Sequence, residues 1–120
     1  MTTETKREYW LEHEDRFWIY TYSRGFIEVE GAAVGITAAP EMDAFLHKAD
    51  GEKGYEVSCG VTGCSLSGHC RTKRQAVNEA NRIANEKGRD AKAERALNDK
   101  WISQTGLSPR YRWDDEEPGE

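Results

Sequence analysis

The N-terminal quarter of the chain places aromatic and β-branched residues in short runs that predict β-strands. Residues 8–13 and 16–22 carry most of the aromatic side chains of this region, and such residues fit the pleated, half-buried surface of a sheet. A turn signal at residues 23–25 precedes residues 26–30, where apolar and acidic positions alternate. The pattern therefore predicts three antiparallel strands, although residues 5–13 also fit a short helix.

The middle of the chain combines a helical pattern with a hairpin pattern. Pro40 suits the first position of a helix. The apolar residues after it have the spacing of one helix face, namely Met42, Phe45, Leu46 and Ala49. Residues 50–54 are rich in glycine and charge and end this predicted central helix. Residues 55–61 and 64–70 flank a Thr-Gly turn and predict a hairpin that adds two strands to the sheet.

Two further helices are predicted in the C-terminal half. Thr72 is a suitable N-cap, and a Lys-Gly pair at residues 87–88 is a suitable end for the first helix. Its apolar face consists of Ala76, Ala80, Ile83 and Ala84. The second helix, residues 89 to about 104, ends before Gly106 and Pro109. Its thinner apolar stripe consists of Ala93, Ala96, Leu97 and Trp101.

These elements predict one α+β domain. We expect an antiparallel sheet of four to five strands with a short central helix and two C-terminal helices. A length of 120 residues suits one domain with one core. We assign residues 1–109 to this domain. Residues 110–120 lack periodicity and are acidic, so we assign them to an extended C-terminal tail.

Composition indicates a folded, heavily solvated protein of the cytoplasm. Apolar residues make up 37% and charged residues 32% of the chain, a balance typical of globular domains. The first residues show no apolar run behind a basic flank, and no stretch approaches the roughly 20 apolar residues that span a bilayer. We therefore expect neither a secretion signal nor a membrane partner. Three cysteines, an odd number, fit reduced thiols better than disulfides.

Charge is unevenly distributed along the chain, although the net charge is only −5. Residues 1–56 contain six basic and twelve acidic residues, residues 57–112 contain eleven basic and five acidic ones, and residues 113–120 add five acids. Segregated charge governs association with charged partners more than it governs the fold. The sequence therefore predicts one acidic and one basic surface.

Four residues of the types that zinc prefers lie in the predicted hairpin, namely Cys59, Cys64, His69 and Cys70. Their spacing argues against a shared metal ion, because adjacent residues on a strand point to opposite faces. We predict that the cysteines pack as small apolar residues and that the chain holds no metal or other cofactor. A small zinc-binding domain is kept as an alternative.

The sequence shows no catalytic constellation, and we predict that the protein is not an enzyme. A reactive cysteine needs a nearby base or cation, but strand geometry separates the side chains of His69 and Cys70. His13 and His47 stand among charged residues and are predicted to be solvated. Adjacent acids, such as those at residues 114–115, are interpreted as charge runs because nothing nearby would raise the pKa of one member.

Residues 54–87 resemble the last strands and the second helix of double-stranded RNA-binding domains. The resemblance rests on the alternation of the first hairpin arm and on the Cys-Arg-Thr-Lys-Arg run that opens the helix. In that family a basic pair at the helix start contacts phosphates, and the resemblance gives this role to Lys73 and Arg74. The partial positive charge of a helix N-terminus would add to theirs. Arg71 and Arg82 complete this candidate nucleic-acid-binding set.

The same stretch is similar to the second half of phage restriction alleviation proteins, which are small and zinc-ribbon-like. In those proteins a Val-x-Cys strand leads to a second cysteine, a glycine and a helix with an Ala-Val-x-x-aromatic-Asn-Arg pattern. Here Val57 and Cys59 are followed by Ala-Val-Asn-Glu-Ala-Asn-Arg at residues 76–82. The resemblance implies an accessory protein of a phage or mobile element.

The acidic residues predict a second surface. Clustered carboxylates can occupy a basic nucleic-acid channel of another protein, because complementary charge steers and orients such partners. A net charge of −5 opposes binding to a polyanion and favours this surface over direct nucleic-acid binding. The acids expected to contact the partner are Glu12, Glu14, Asp15, Glu28, Glu30, Asp114 and Asp115.

We therefore expect a non-enzymatic binding protein from a phage or mobile element. Its charge and its resemblance to restriction alleviation proteins imply that it inhibits a host protein or ribonucleoprotein complex that targets foreign nucleic acid, as anti-CRISPR proteins do. The alternative is a nucleic-acid-binding module that uses the basic helix start at Lys73 and Arg74.

Overall fold

Short strands and two helices form the part of the chain that the structure describes, residues 8–51 and 53–114 of a computed structural model. In chain order the elements are β1 (Tyr9–Leu11), β2 (Phe17–Thr21), β3 (Gly25–Val29), β4 (Gly31–Ala33), β5 (Ala44–Lys48), β6 (Tyr55–Cys59), α1 (Lys73–Glu86), α2 (Ala91–Thr105) and β7 (Tyr111–Trp113). This order confirms the α+β class and the two C-terminal helices. Neither helix within these residues is long and apolar enough to cross a membrane.

The strands are divided among three small antiparallel sheets, whereas we predicted a single sheet. Strand β1 pairs with β7, β2 pairs with β3, and β4, β5 and β6 form a three-stranded sheet in that order. The three N-terminal strands are present as predicted, but β1 lies beside the C-terminal strand instead of beside β2. Residues 115–120 of the predicted tail lie outside the described residues, and the division into a domain and a tail stays a prediction.

The predicted central helix is wrong, because its apolar residues form strand β5. Pro40 lies in a turn closed by a hydrogen bond from the Met42 amide to the Ala39 carbonyl oxygen at 2.9 Å, a position that suits the fixed φ of proline. Phe45 is buried on one face of the strand and Ala44 on the other. A strand covered on both faces shows a continuous apolar run, which sequence periodicity does not distinguish from a short helix.

The three-stranded sheet is the middle layer of the molecule. On one face, Ala44 and Val57 pack against the small side chains of α1, which are Ala76, Ala80 and Ala84. On the other face, Phe45 packs against Phe17 and Ile19 of the β2–β3 hairpin. Burial on both faces of one sheet supplies the main apolar stabilisation of the fold.

Helix α1 begins and ends where the sequence predicts. The hydroxyl oxygen of Thr72 accepts a hydrogen bond from the Gln75 amide at 3.1 Å, which satisfies one of the free N–H groups of the first turn. Gly88 has a φ of +59° just beyond the helix, and its amide donates to the Asn85 carbonyl oxygen at 3.3 Å. The left-handed backbone at this position explains the glycine.

The second arm of the predicted hairpin follows β6 without forming a regular strand. Isolated bridges join Tyr55 to Cys70 and Ser58 to Ser65. Between them, the Ser67 hydroxyl accepts a hydrogen bond from the Val57 amide at 2.9 Å. Side-chain bonding of this kind competes with a sheet ladder, which explains why residues 64–70 are irregular.

Helix α2 buries a polar face, whereas we predicted an apolar one. Ala96 is exposed and the other residues of the predicted stripe are half-buried. The buried residues of this helix are Glu94 and Asn98. The helix begins with Asp90, whose side chain accepts a hydrogen bond from the Ala93 amide at 2.9 Å. The face of α2 that is buried therefore differs from the apolar face that we predicted.

We expect Glu94→Gln to stabilise the protein at neutral pH. Glu94 is 4% exposed, and neither carboxylate oxygen accepts a hydrogen bond within the described residues. Burial raises the pKa of this carboxyl above its ordinary value of 4.5, and Arg89 opposes the rise. Because the folded state holds this proton more tightly than the unfolded chain does, stability falls as the pH rises above 4.5.

Urea unfolding checks this expectation across pH. At pH 7, Glu94→Gln should raise the free energy of unfolding by about 1 kcal/mol, because a buried carboxylate without a hydrogen-bond donor is replaced by a neutral group. Below the ordinary pKa of 4.5 the wild-type side chain is protonated in both states, so the two proteins should have equal stability. A constant difference at all pH values would contradict the assignment to the Glu94 charge.

Candidate functional site

The segment that joins β1 to β2, residues 12–16, carries exposed carboxylates and is called the acidic loop below. The side chains of Glu12, Glu14 and Asp15 are exposed. Glu12 lies 3.8 Å from Nε2 of His13. Glu14 and Asp15 form no ion pair within residues 8–51 and 53–114. The structure therefore brings these three predicted acids together with most of their charge uncompensated.

Arg110 holds the backbone of the acidic loop. Its Nη1 atom donates hydrogen bonds to the carbonyl oxygens of His13 at 2.6 Å, Glu14 at 2.6 Å and Arg16 at 2.9 Å. Its own carbonyl oxygen accepts hydrogen bonds from the amides of Glu12 at 2.9 Å and His13 at 3.0 Å. One residue thus fixes the path of the whole loop, because a guanidinium is a rigid fork of donors.

Asp43 fixes Arg110 in turn. Nε of Arg110 lies 2.7 Å from Oδ2 of Asp43 and Nη2 lies 3.1 Å from Oδ1, which is a bidentate pair. The guanidinium carbon lies 4.4 Å from the centre of the Phe17 ring, and the residue is only 4% exposed. This clamp, defined as Arg110 with Asp43, connects the acidic loop to the core.

Asp43 is also held by Tyr111 and lies close to the backbone at Gly60. The Tyr111 hydroxyl donates a hydrogen bond to Oδ2 of Asp43 at 2.8 Å. Burial and the nearby Asp43 carboxylate raise the pKa of Tyr111, so its hydroxyl stays a donor at neutral pH. A Cβ atom at Gly60 would lie 2.0 Å from Oδ2 of Asp43, which explains the glycine.

Exposed apolar side chains lie immediately before the acidic loop. Trp10 is 56% exposed and Leu11 is 45% exposed. In the β1–β7 register Trp10 lies opposite Arg112. Exposed aromatic side chains with a charged rim are typical of protein-binding surfaces, since aromatic residues supply much of the binding energy at such interfaces.

The other predicted acidic residues are placed differently. Glu28 forms a bidentate pair with Arg16, with both oxygens 2.9 Å from guanidinium nitrogens. This pair lowers the pKa of Glu28 and compensates its charge. Glu30 and Asp114 are exposed, and the Asp114 amide donates to the Glu8 carbonyl oxygen at 3.0 Å. Asp115 lies outside the described residues.

The predicted basic residues are only partly available. Arg71, Lys73 and Arg74 are exposed at the start of α1, and Nζ of Lys73 lies 5.6 Å from the centre of the Tyr55 ring. Arg82 is bonded along its own helix to the carboxylates of Glu79 and Glu86, with Nη1 2.6 Å from Oε2 of Glu86. These bonds raise the pKa of Arg82 and occupy its donors.

The thiols of the candidate zinc set have separate surroundings. Sγ of Cys59 is buried 3.5 Å from Oδ1 of Asn98, and burial raises the pKa of this thiol to about 11. Cys64 and Cys70 are half-buried, and each thiol lies 3.8 Å from a nearby backbone carbonyl oxygen. The described residues contain no group of three metal-binding side chains close enough to hold an ion.

His47 is buried, so our prediction that it is solvated is wrong. Its Nδ1 atom lies 2.8 Å from the Lys48 carbonyl oxygen, and its Nε2 atom lies 2.8 Å from the hydroxyl oxygen of Ser58. Because a carbonyl oxygen only accepts, Nδ1 donates to the Lys48 carbonyl oxygen, and Nε2 shares its hydrogen bond with the Ser58 hydroxyl and lies 3.8 Å from Oε1 of Glu56. The pair has the arrangement of a base and a nucleophile, but Ser58 is only 1% exposed and His47 only 3%.

Comparison with protein-family models, with curated proteins and with solved structures finds no match to this chain. The resemblances to double-stranded RNA-binding domains and to restriction alleviation proteins therefore stay predictions. The clamp was missed by sequence reasoning because Asp43 and Arg110 are 67 positions apart and no local pattern connects them. Arg110 is the first residue of the predicted tail, and nothing local in the sequence indicates that its side chain is buried.

Proposed function

We propose that this chain is a non-enzymatic binding protein whose acidic loop occupies a basic, nucleic-acid-binding surface on a host protein or ribonucleoprotein complex. The complex would belong to the host machinery that targets foreign nucleic acid, and the chain would inhibit it in the manner of anti-CRISPR or anti-restriction proteins. The observation that carries the proposal is the clamp, because Arg110 holds the loop through hydrogen bonds to three of its carbonyl oxygens.

A fixed loop favours binding over mere solubility. Free surface acids give solubility without any need for a defined backbone. Here a buried arginine orders the segment from which Glu12, Glu14 and Asp15 project. A binding loop that is ordered before association avoids the entropic cost of being ordered during it. Rigid, uncompensated carboxylates also steer a basic partner into a defined orientation.

The apolar residues beside the acidic loop supply the binding affinity that charge alone does not provide. Electrostatic complementarity contributes mainly to association rate and specificity, whereas affinity usually depends on a few buried aromatic anchors. Trp10 and Leu11 are exposed next to the acidic loop in the chain. We assign Trp10 the role of anchor and the carboxylates the role of the charged rim.

Charge reversal tests the proposal in a lysate of host bacteria treated with nuclease. Glu14→Lys with Asp15→Lys should reduce capture of the host complex at least about tenfold, because close charge pairs at interfaces couple strongly. The matched control is Asp50→Lys with Glu86→Lys, which changes the net charge equally on exposed residues elsewhere. We expect the control to capture the complex as the wild type does, since surface ion pairs contribute little to stability.

Three outcomes would overturn the proposal. An equal loss of capture in both double variants would show a general effect of net charge. Unchanged capture by Glu14→Lys with Asp15→Lys would exclude the acidic loop as the contact surface. Recovery of a complex with no nucleic-acid-targeting component would contradict the assigned class of partner.

Direct nucleic-acid binding is the second candidate function. It is favoured by the first turn of α1, which contains Lys73 and Arg74 and no acidic residue, so that both cations add to the positive end of the helix dipole. If this candidate is right, the chain captures nucleic acid and not protein. The affinity of the chain for nucleic acid should then fall steeply as the salt concentration rises, and Lys73→Ala with Arg74→Ala should weaken the binding. Arg82 belongs to the same predicted set, but it is paired with Glu79 and Glu86 on the surface of the helix.

A further inference from the structure

A cavity of about 300 Å³ lies where α2 meets the β1–β7 ribbon. The contact between the two elements includes Arg95, whose guanidinium carbon lies 4.9 Å from the centre of the Tyr9 ring. Apolar side chains, including Met42 and Val61, form part of the cavity wall, and the aromatic residues Tyr9 and Tyr111 also line it. This volume is at the lower end of the range for small-molecule sites.

The acidic groups of the wall are Glu41, Asp43 and Glu94. Asp43 already accepts hydrogen bonds from Arg110 and Tyr111. Glu94 is 4% exposed, and neither of its oxygens accepts a hydrogen bond within the described residues. The nearest cation, Nε of Arg89, is 3.9 Å away, which is too long for a hydrogen bond. Both Glu94 oxygens are therefore without a hydrogen-bond donor within the described residues, with Arg89 at ion-pair distance.

Arg95, which also lines the cavity, is oriented toward other carboxylates. Nε of Arg95 lies 3.2 Å from Oδ1 of Asp99, and its Nη1 lies 3.8 Å from the Glu8 carboxylate. A buried carboxylate without a hydrogen-bond donor is costly and requires an explanation. A ligand that brings a charged donor into the cavity would supply the missing bond and stabilise the folded protein.

From this geometry we propose that the cavity binds an alkylguanidinium or alkylammonium group. The cationic head forms a charge-assisted hydrogen bond with Glu94, and the short alkyl stem packs against Met42 and Val61. The Tyr111 ring, which lines the same cavity, offers further attraction for a cation. A bare metal ion is a poor occupant, since no three metal-binding groups converge within the described residues.

This chemistry has two sources, a free small cation or a lysine or arginine side chain of a protein. The proposal does not depend on the acidic loop, because Glu94 and the loop carboxylates are different groups on different elements. The two sites are therefore tested separately with variants of the same chain.

The test is a titration of the folded protein followed by amide chemical shifts in NMR spectra. The probes are n-butylguanidinium and n-butylammonium, with n-pentanol as an uncharged counterpart of similar size. We expect saturable shifts near Glu94, Asn98 and Tyr111 with both cations and none with the alcohol. Equal responses to the alcohol, or the absence of saturable shifts with either cation, would overturn the proposal.

Substitution locates the cation at Glu94. Glu94→Gln should weaken cation binding by roughly tenfold to a hundredfold, which is the range expected for loss of a hydrogen bond to a charged group. The variant removes a buried charge and should fold at least as well as the wild type, so that weaker binding is not a folding defect. Unchanged affinity in Glu94→Gln would refute the assigned contact.

The control variant separates this site from the acidic loop. Glu14→Lys with Asp15→Lys should bind n-butylguanidinium with unchanged affinity; a loss equal to that in Glu94→Gln would mean that the probe responds only to overall charge. Comparison of agmatine with N-acetyl-arginine-amide then identifies the source. Tighter binding of agmatine supports a free cation, and tighter binding of the peptide-like probe supports a protein side chain.

Discussion

Arg110→Ala should destabilise the protein by about 3–5 kcal/mol, the usual cost of removing one partner from a buried ion pair. Arg110 and Asp43 are almost fully shielded, with side-chain exposures of 5% and 17%. The substitution leaves the Asp43 carboxylate with the hydrogen bond from the Tyr111 hydroxyl but without a cation. It also removes the donors to three loop carbonyl oxygens. Such a loss is a large share of the roughly 5–15 kcal/mol that stabilises a typical domain.

Two measurements check this expectation. Urea unfolding should show a lower transition midpoint, and hydrogen exchange at the amides of Glu12 and His13 should accelerate because the loop opens locally more often. The matched control is Arg112→Ala, two residues away on β7, where the side chain forms no hydrogen bond or ion pair within the described residues. This control should stay within about 0.5 kcal/mol of the wild type. Equal stability of both variants would contradict the role of the clamp.

Phe45→Ala should cost about 3–5 kcal/mol, the range for truncating a fully buried phenylalanine. The Phe45 side chain is 0% exposed, and its ring centre lies 4.7 Å from that of Phe17 in a stacked arrangement and 5.2 Å from that of His47. A Cβ atom at Gly31 would lie only 2.9 Å from the Phe45 ring, so the backbone of Gly31 already packs tightly against this ring. Truncation opens a cavity between the sheet and the β2–β3 hairpin.

The control for Phe45 is another aromatic residue in the same region. Tyr22 is 95% exposed at the turn of the β2–β3 hairpin, so Tyr22→Ala should change the free energy of unfolding by less than about 0.5 kcal/mol. Thermal or urea unfolding of both variants measures the difference directly. A small effect of Phe45→Ala would mean that the hairpin does not depend on this contact for its position.

Local signals predicted those elements whose ends are set by neighbouring residues. Thr72 and Gly88 mark the ends of α1 because capping depends on contacts within a few positions. The β2–β3 hairpin follows from the turn at Gly25, where φ is +67°. These interactions involve only residues that are close in the sequence, so they can be predicted from the local sequence.

Elements that depend on distant partners were predicted poorly. Strand β5 is a strand because α1 covers one face and the hairpin covers the other, and neither neighbour is close in the sequence. The β1–β7 pair joins the two ends of the described chain, with Leu11 opposite Tyr111. The buried face of α2 includes Glu94, a position that hydrophobic periodicity assigns to solvent.

In the candidate site, too, local features were predicted and contacts between distant residues were not. Sequence reasoning selected Glu12, Glu14 and Asp15 from their charge, and the structure places them together on one loop. It did not reveal that Arg16 compensates Glu28 or that Arg110 orders the loop, since these pairs span 12 and 94 to 97 positions. Composition identifies charged residues, whereas only the fold decides which charges remain free.

Displacement of nucleic acid from the captured host complex is the most direct test of the central claim. The purified complex is loaded with labelled target nucleic acid, and the chain is added at increasing concentration at constant salt. We predict that the wild type and the Asp50→Lys with Glu86→Lys control displace the nucleic acid, whereas Glu14→Lys with Asp15→Lys requires at least about tenfold more protein. A complex that binds the chain and keeps its nucleic acid would contradict the account.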